Sequence, residues 1–248
     1  IEQIEPLELL TVLQKIEKRG ALEQTSKIRR RCGEVLRYAV ATGRAKYNFA
    51  PDLAIALNKP KTQHFPFLTE SELPEFVNAL DNYQGSLVTK YATQLLMLTG
   101  VRTIELRAAE WTEFDLENAL WEIPKERMKK RRPHLVPLST QAIGILYKLY
   151  AITGNYSLVF PGRNDVRKPM SEASINKVIK LLGYNGRLTG HGFRHTMSTI
   201  LHEHGFESGW IEMQLAHVDR NSIRGTYNHA QYLLQRKSMM QFYSDLIM

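Results

Sequence analysis

The sequence predicts a mainly α-helical protein with one small antiparallel β-sheet, arranged as a short helical segment followed by a larger α+β domain. Three observations predict it. Long stretches repeat apolar residues at helical spacing. One stretch, Trp111 to Leu138, switches to short runs punctuated by turn residues. A polar stretch from Asn58 to Pro66, with Pro60 and Pro66 and no apolar period, reads as a linker. The expected boundaries are 1–58 for the helical segment, 59–67 for the linker and 68–248 for the larger domain.

Leu7 to Arg19 reads as a helix, with Leu9, Leu10, Val12, Leu13 and Ile16 on one side and Gly20 as its stop. A second helix is expected over Ser26 to Thr42, with Thr25 as N-cap and an apolar repeat of Ile28, Cys32, Val35, Leu36, Ala39 and Val40. Lys27, Arg29, Arg30, Arg31 and Arg37 fill its other faces, as a solvated surface or as phosphate contacts. Two helices make a poor core alone, so this segment is expected to be part of a small helical domain whose beginning lies outside the sequence, which opens on Ile1. Beyond the linker, Thr69 to Leu80 reads as a helix with a capping box between Thr69 and Glu72. Leu87 to Thr99 reads as a strongly apolar helix ended by Gly100. Three short strands are expected around Glu110 to Phe114, Leu120 to Ile123 and His134 to Leu138, with turns at Glu117-Asn118 and Lys129 to Pro133. Helical patterns then resume, broken at Pro161-Gly162, Tyr184-Asn185-Gly186 and Gly190.

The chain has 248 residues, 43% of them hydrophobic, which is enough for a substantial core. It carries 33 Lys and Arg against 25 Asp and Glu, a formal charge of +8 that suggests a polyanionic partner, nucleic acid first. Before Leu68 there are 12 basic and 7 acidic residues; from Leu68 on there are 21 and 18. The smaller segment is therefore the more basic per residue. The single cysteine, Cys32, excludes an intramolecular disulfide, fits a reducing compartment and reads as buried filler. No stretch has the length and apolarity of a membrane span, and no signal-peptide pattern opens the chain.

Five features of the larger domain belong together. Arg102 sits at a helix junction in Gly100-Val101-Arg102-Thr103-Ile104-Glu105, with Glu105 three residues on. Lys129 lies in the basic hairpin Arg127-Met128-Lys129-Lys130-Arg131-Arg132. His191-Gly192-Phe193-Arg194 opens a helix and puts His191 and Arg194 on one face. His217 follows in Leu215-Ala216-His217, and Tyr227 in Thr226-Tyr227-Asn228. Phosphodiester cleavage at a fixed position explains these residue types. The attacked phosphate gathers charge on its equatorial oxygens, and arginines offer permanent charge with two-pronged donors. A tyrosine hydroxyl, with an ordinary pKa near 10, needs local positive charge and a proton acceptor to attack. Histidine and lysine exchange protons. With cations in these roles no metal and no cofactor is required. Taken singly, each residue is unremarkable. His191 and His195 could mimic a helical metal pair, but no third ligand is evident.

The strings "TGVRTIEL", "RMKKRRPHLVPLS", "HGFRHT" and "LAHVDRNSIRGTYNHAQY" resemble the tyrosine site-specific recombinases of phage-integrase type, from about Leu68 to the C-terminus. The residues before Leu68 resemble the C-terminal part of that family's helical core-binding domain. The resemblance implies a metal- and ATP-independent enzyme that cuts and rejoins DNA at specific sites, integrating and excising a prophage or genomic island. It implies that Tyr227 attacks the scissile phosphate to form a 3′-phosphotyrosyl link. Arg102 and Arg194 would clamp the non-bridging oxygens, and Lys129 would protonate the leaving 5′-oxygen, with Lys130 as its rival. His191 would handle the nucleophile's proton, His217 would bond the phosphate, and Glu105 would buttress the site. DNA contacts are expected from Lys27, Arg29, Arg30, Arg31, Lys130, Arg131 and Arg132. One departure is Ala216, where many members carry glycine.

The partners so implied are double-stranded DNA at attachment sites, three further copies in a tetramer on DNA with a monomer away from it, a host DNA-bending factor and an excisionase. No membrane is implied, and the location is the bacterial cytoplasm, on the nucleoid. The apolar run Met239, Met240, Phe242, Tyr243, Leu246, Ile247 and Met248 either packs on its own domain or, as the resemblance favours, docks on a neighbouring protomer. Two rival readings stand beside the recombinase: a DNA-relaxing topoisomerase of type IB, which uses similar chemistry as a monomer, and a DNA-binding remnant without catalysis.

Overall fold

The computed structural model describes residues 1–60, 65–128, 131–217 and 232–248. The chain forms two compact units, Ile1–His64 and Phe65–Met248.

The first unit is built on helices α1 (Pro6–Lys18) and α2 (Leu22–Ala41), followed by a short 3-10 turn at Asp52–Ala56. Pro6 occupies the first turn of α1, where its missing N–H costs nothing, and the Glu5 amide donates to Glu8 Oε2 at 3.0 Å. Gly20 follows α1 with φ +77°, a conformation open to glycine. Helix α2 starts four residues before the expected Ser26. Thr25 is therefore not a cap: it is buried inside the helix, and its hydroxyl donates to the Ala21 carbonyl at 3.1 Å. The core of this unit is Leu13, Leu36, Phe49, Ala50 and Leu53, with Cys32 only half-buried against it. Ile28, Val35 and Val40, expected on the apolar face, stay exposed, because α1 covers only the stripe through Leu36 and Ala39.

The second unit opens with the expected capping box. The Thr69 amide donates to Glu72 at 2.9 Å, across a 3-10 turn that leads into α3 (Leu73–Asp81). Its central helix is α4 (Leu87–Thr99), buried from Ala92 to Thr99. Helices α5 (Thr103–Arg107), α6 (Thr140–Thr153), α7 (Ser174–Leu181), α8 (Gly192–Glu203) and α10 (Leu233–Ile247) all pack on α4, while α9 (Ser208–Gln214) packs on α8 and α10. Gly100 ends α4 at φ +62°, the left-handed region that favours glycine.

The sheet is β1 (Phe114–Asp115), β2 (Leu120–Ile123) and β3 (His134–Pro137), antiparallel in that order. Trp121 pairs with Val136 and Ile123 with His134, which turns one face of β2 and β3 into the core. The first strand is shorter than expected. Trp111–Glu113 is a 3-10 turn, because the Trp111 amide donates to Ser157 O at 3.0 Å and its indole to Thr153 O at 3.1 Å. Those distant partners pull the chain away from β2.

The C-terminal apolar stripe packs on its own unit. Met239, Met240, Tyr243 and Ile247 belong to the main core, whereas Phe242, Leu246 and Met248 of the same run are exposed. Among the described residues no helix is long and apolar enough to cross a membrane.

Candidate active site

The site is assembled where the end of α4, the start of α8 and the end of α9 meet. Arg102 caps α5. Its amide donates to Glu105 Oε2 at 2.8 Å and its Nη1 to Glu105 Oε1 at 2.7 Å, while Nη2 reaches the Ala216 carbonyl at 3.1 Å. Glu105 is buried, so this ion pair fixes the guanidinium rather than merely decorating a surface. Arg194, in the first turn of α8, is buried as well; its Nη1 donates to Gly100 O and its Nη2 to Leu215 O. Its Nε is buried and has no partner among the described residues. Burial, and then the Arg102 charge beside it, push the Arg194 pKa down to about 10, which leaves it cationic at neutral pH.

Two arginines far apart in sequence thus hold the successive carbonyls of Leu215 and Ala216, immediately before His217. Ala216 itself stands at φ +48°, the left-handed region that glycine enters freely. The His217 ring places Nδ1 2.8 Å from Glu212 Oε2. A proton on Nδ1 donated to that carboxylate leaves Nε2 as an acceptor in the neutral ring. Burial holds the His217 pKa below its ordinary value, and Glu212 opposes the shift. His191 precedes α8, with its ring 4.6 Å from Phe65 and 5.6 Å from His195. Its pKa is also lowered, by burial first and then by the charges of Arg194, His195, Arg102 and His217. Those couplings place His191 within electrostatic reach of Arg102, Arg194 and His217. Gly192, between His191 and Arg194, has no room for a Cβ, which would sit 2.2 Å from the Pro66 carbonyl oxygen.

Arg102, Glu105, His191, Arg194 and His217 are therefore brought together. Tyr227, Lys129 and Lys130 lie outside the described residues. The flanks of the Lys129 hairpin are described: Met128 is buried, Arg131 (φ +51°) and Arg132 are exposed, and Arg127 donates to Glu105 O at 3.2 Å and to Glu113 at 2.9 Å. Arg127 thus fastens the root of the hairpin to α5. On α2, Arg30 is exposed, Lys27 pairs with Glu23 at 3.5 Å and Arg31 with Glu34 at 2.8 Å. Arg29 differs: it donates to Ala50 O at 3.1 Å and Pro51 O at 3.2 Å, so it holds the fold of its own unit.

Three residues that the sequence reading passed over lie beside the site. Gln214 and Arg236 are fully buried and His134 nearly so, and they bond to one another's segments. No periodicity separates such residues from ordinary surface polar ones.

The larger part of the chain, residues 66–233, matches the model of the phage integrase family, and residues 1–56 match that of the phage integrase central domain. The chain belongs to the phage integrase family. It is 50% identical over 246 residues to the integrase of Shigella phage Sf6 and 49% identical to the prophage integrase IntS of Escherichia coli K12. Each alignment covers 99% of this chain and 64% of the relative, so the chain spans under two thirds of the length of these relatives. Among solved structures, a lambda integrase dimer bound to a core site superposes with a TM-score of 0.68 at 17% identity, covering 91% of this chain and 80% of that one. The Tn1549 transposon integrase in complex with circular intermediate DNA gives 0.69 at 16% identity, covering 96% and 85%. These likenesses establish the fold, mainly helical with a small antiparallel sheet.

Proposed function

We propose that this chain is the DNA-cleaving part of a site-specific recombinase that integrates and excises a prophage or genomic island. The observation that carries the reading is the meeting of Arg102 and Arg194 at consecutive carbonyls beside His217, with no carboxylate other than Glu105 bonded to either guanidinium among the described residues. Family membership and relatives named as integrases support it.

In this mechanism the Tyr227 oxygen attacks the scissile phosphorus and gives up its proton toward His191. The bond to the 5′-oxygen breaks, and Lys129 supplies the proton that makes it a 5′-hydroxyl. Arg102 and Arg194 hold the charge that builds on the non-bridging oxygens, with His217 as a further donor once protonated. Such fixed donors contribute roughly 3 kcal/mol each to transition-state stability. The phosphotyrosyl ester keeps the energy of the broken bond, so a 5′-hydroxyl from a second duplex restores a phosphodiester without ATP. Residues 1–58 act as a DNA-gripping core-binding portion, 59–67 as the linker and 68–248 as the catalytic domain. The intact protein works as a tetramer on duplex attachment sites, with a DNA-bending factor and an excisionase, on the nucleoid in the cytoplasm.

The test is covalent trapping on duplex DNA nicked next to the scissile phosphate. The wild-type chain forms a denaturant-resistant adduct, and Tyr227→Phe forms none while binding DNA within about threefold of wild type. An undiminished adduct in Tyr227→Phe removes Tyr227 as nucleophile. Absence of adduct from folded wild type on cognate sites favours a DNA-binding remnant. Relaxation of supercoils with no exchange between labelled duplexes favours a topoisomerase.

A further inference from the structure

Arg236, in the first turn of α10, is fully buried, and a buried guanidinium is tolerated only where its donors are matched. Nη2 donates to the Leu135 carbonyl at 2.6 Å and to Gln214 Oε1 at 2.8 Å, and Nε also reaches Gln214 Oε1 at 3.2 Å. Gln214 is fully buried in turn, and its amide Nε2 donates to the Thr99 carbonyl at 2.9 Å. The Gln214 carbonyl lies 3.1 Å from His134 Nε2. Burial, followed by the Arg236 charge, holds the His134 pKa down at about 3, so the ring is neutral and Nε2 is the donor.

Arg236 and Gln214 together therefore join four segments. These are the helix that begins after the Tyr227 stretch, the end of α9 three residues before His217, strand β3 on the exit side of the Lys129 hairpin, and the end of α4 three residues before Arg102. The described flanks of the Lys129 and Tyr227 stretches and the residues leading to Arg102 and His217 meet at this point. We propose that Arg236, together with Gln214 and His134, is the positioning node of the active site, setting the two ends of the Tyr227 stretch and the root of the Lys129 hairpin in register with the arginine pair. The proposal rests on the recombinase reading above. None of the three residues touches the reacting atoms; they act through the segments they hold. Misplacement by about 1 Å at a distance is enough to cost on the order of a hundredfold in rate.

The experiment compares wild type, Arg236→Lys and Gln214→Met on the nicked substrate at saturating DNA, alongside DNA affinity and thermal melting. Lysine keeps the charge but loses the planar fork that serves Leu135 and Gln214 together. The node predicts that Arg236→Lys lowers the rate of adduct formation at least about thirtyfold while the dissociation constant for DNA moves by less than about threefold. The double variant loses no more than the worse single one, because both substitutions break the same tie. A substrate with sulfur in place of the bridging 5′-oxygen needs no proton on its leaving group; it restores part of the Arg236→Lys loss, as a displaced Lys129 requires. His134→Gln, which keeps an N–H donor near the Gln214 carbonyl, supplies a milder variant if Arg236→Lys does not fold, with a loss of about fivefold on the same split. A folded Arg236→Lys, or failing that a folded His134→Gln, that reacts at the wild-type rate overturns the node while leaving the recombinase reading intact. So does a rate loss matched by an equal loss of DNA affinity. A wild-type chain that forms no adduct overturns the recombinase reading and the node with it.

Discussion

Helix α2 carries Lys27, Arg30 and Arg31 on its solvent side, paired at most with Glu23 and Glu34 one turn away. Arg194 in the larger unit is buried and spends two of its nitrogens on the carbonyls of Gly100 and Leu215. The same residue types are put to different uses. Exposed cations keep their rotamer freedom and pair weakly, which suits a surface that meets a polyanion in many registers. A buried arginine anchored to backbone has lost that freedom during folding, so it has nothing left to reorganise when a phosphate arrives. On the function proposed above, affinity belongs to the first arrangement and rate to the second, and that division can be tested residue by residue.

The largest effect should come from Arg194→Lys. A lysine keeps the charge but cannot satisfy Gly100 O and Leu215 O while presenting a further donor. The rate of adduct formation at saturating DNA should fall by about a hundredfold or more, and each carbonyl left unpaired should cost about 1–3 kcal/mol of stability. DNA affinity should change by less than about threefold. A variant that loses affinity and keeps its rate would reverse the division between the two units.

How legible the molecule is from its sequence follows the same line. Helix α4 keeps the expected bounds, Leu87 to Thr99, because an apolar run and a terminating glycine are local signals. The first strand does not, because the partners of Trp111 are Ser157 and Thr153, and no window around residue 111 contains them. Arg102 and Arg194 stand out through their motifs, yet their shared grip on Leu215 and Ala216 is a tertiary fact. Gln214, His134 and Arg236 leave no trace in the pattern, since a polar residue reads as surface until the fold buries it. Thr25 misleads for the opposite reason: a good capping residue type stands one turn inside a helix that began at Leu22.

A medium effect should appear on acidification of the larger unit. The folded pKa of His134, about 3, lies below its unfolded value of 6.5, so the unfolded chain binds the proton first. The contribution is therefore fully present above pH 6.5 and is lost as the pH falls toward 3, by about 1.4 kcal/mol per pH unit. Between pH 7 and pH 5, above the range where most carboxylates titrate, urea unfolding of wild type should lose about 2 kcal/mol from this group. His134→Gln should remove that part of the slope. An unchanged slope would mean that His134 is solvated or already charged in the fold, and the buried side of the comparison would lose its clearest member.

The smallest and most discriminating effect lies within the basic helix itself, where Arg29 and Arg30 are neighbours with different surroundings. Arg29 bonds the carbonyls of Ala50 and Pro51, whereas Arg30 is exposed. Arg29→Ala should destabilise the smaller unit by about 1–2 kcal/mol, seen as an earlier melt of that unit, because two part-buried acceptors lose a charged donor. Arg30→Ala should leave the melt unchanged within about 0.5 kcal/mol. It should instead weaken DNA binding a few-fold and reduce the slope of log affinity against log salt by about 1, the signature of one lost phosphate contact. The adduct rate at saturating DNA should be the same as wild type in Arg30→Ala, since affinity has been removed and the cationic pocket left alone. If Arg30→Ala leaves the salt slope untouched, α2 does not face the phosphates, and the +5 balance of residues 1–67 reflects solvation alone.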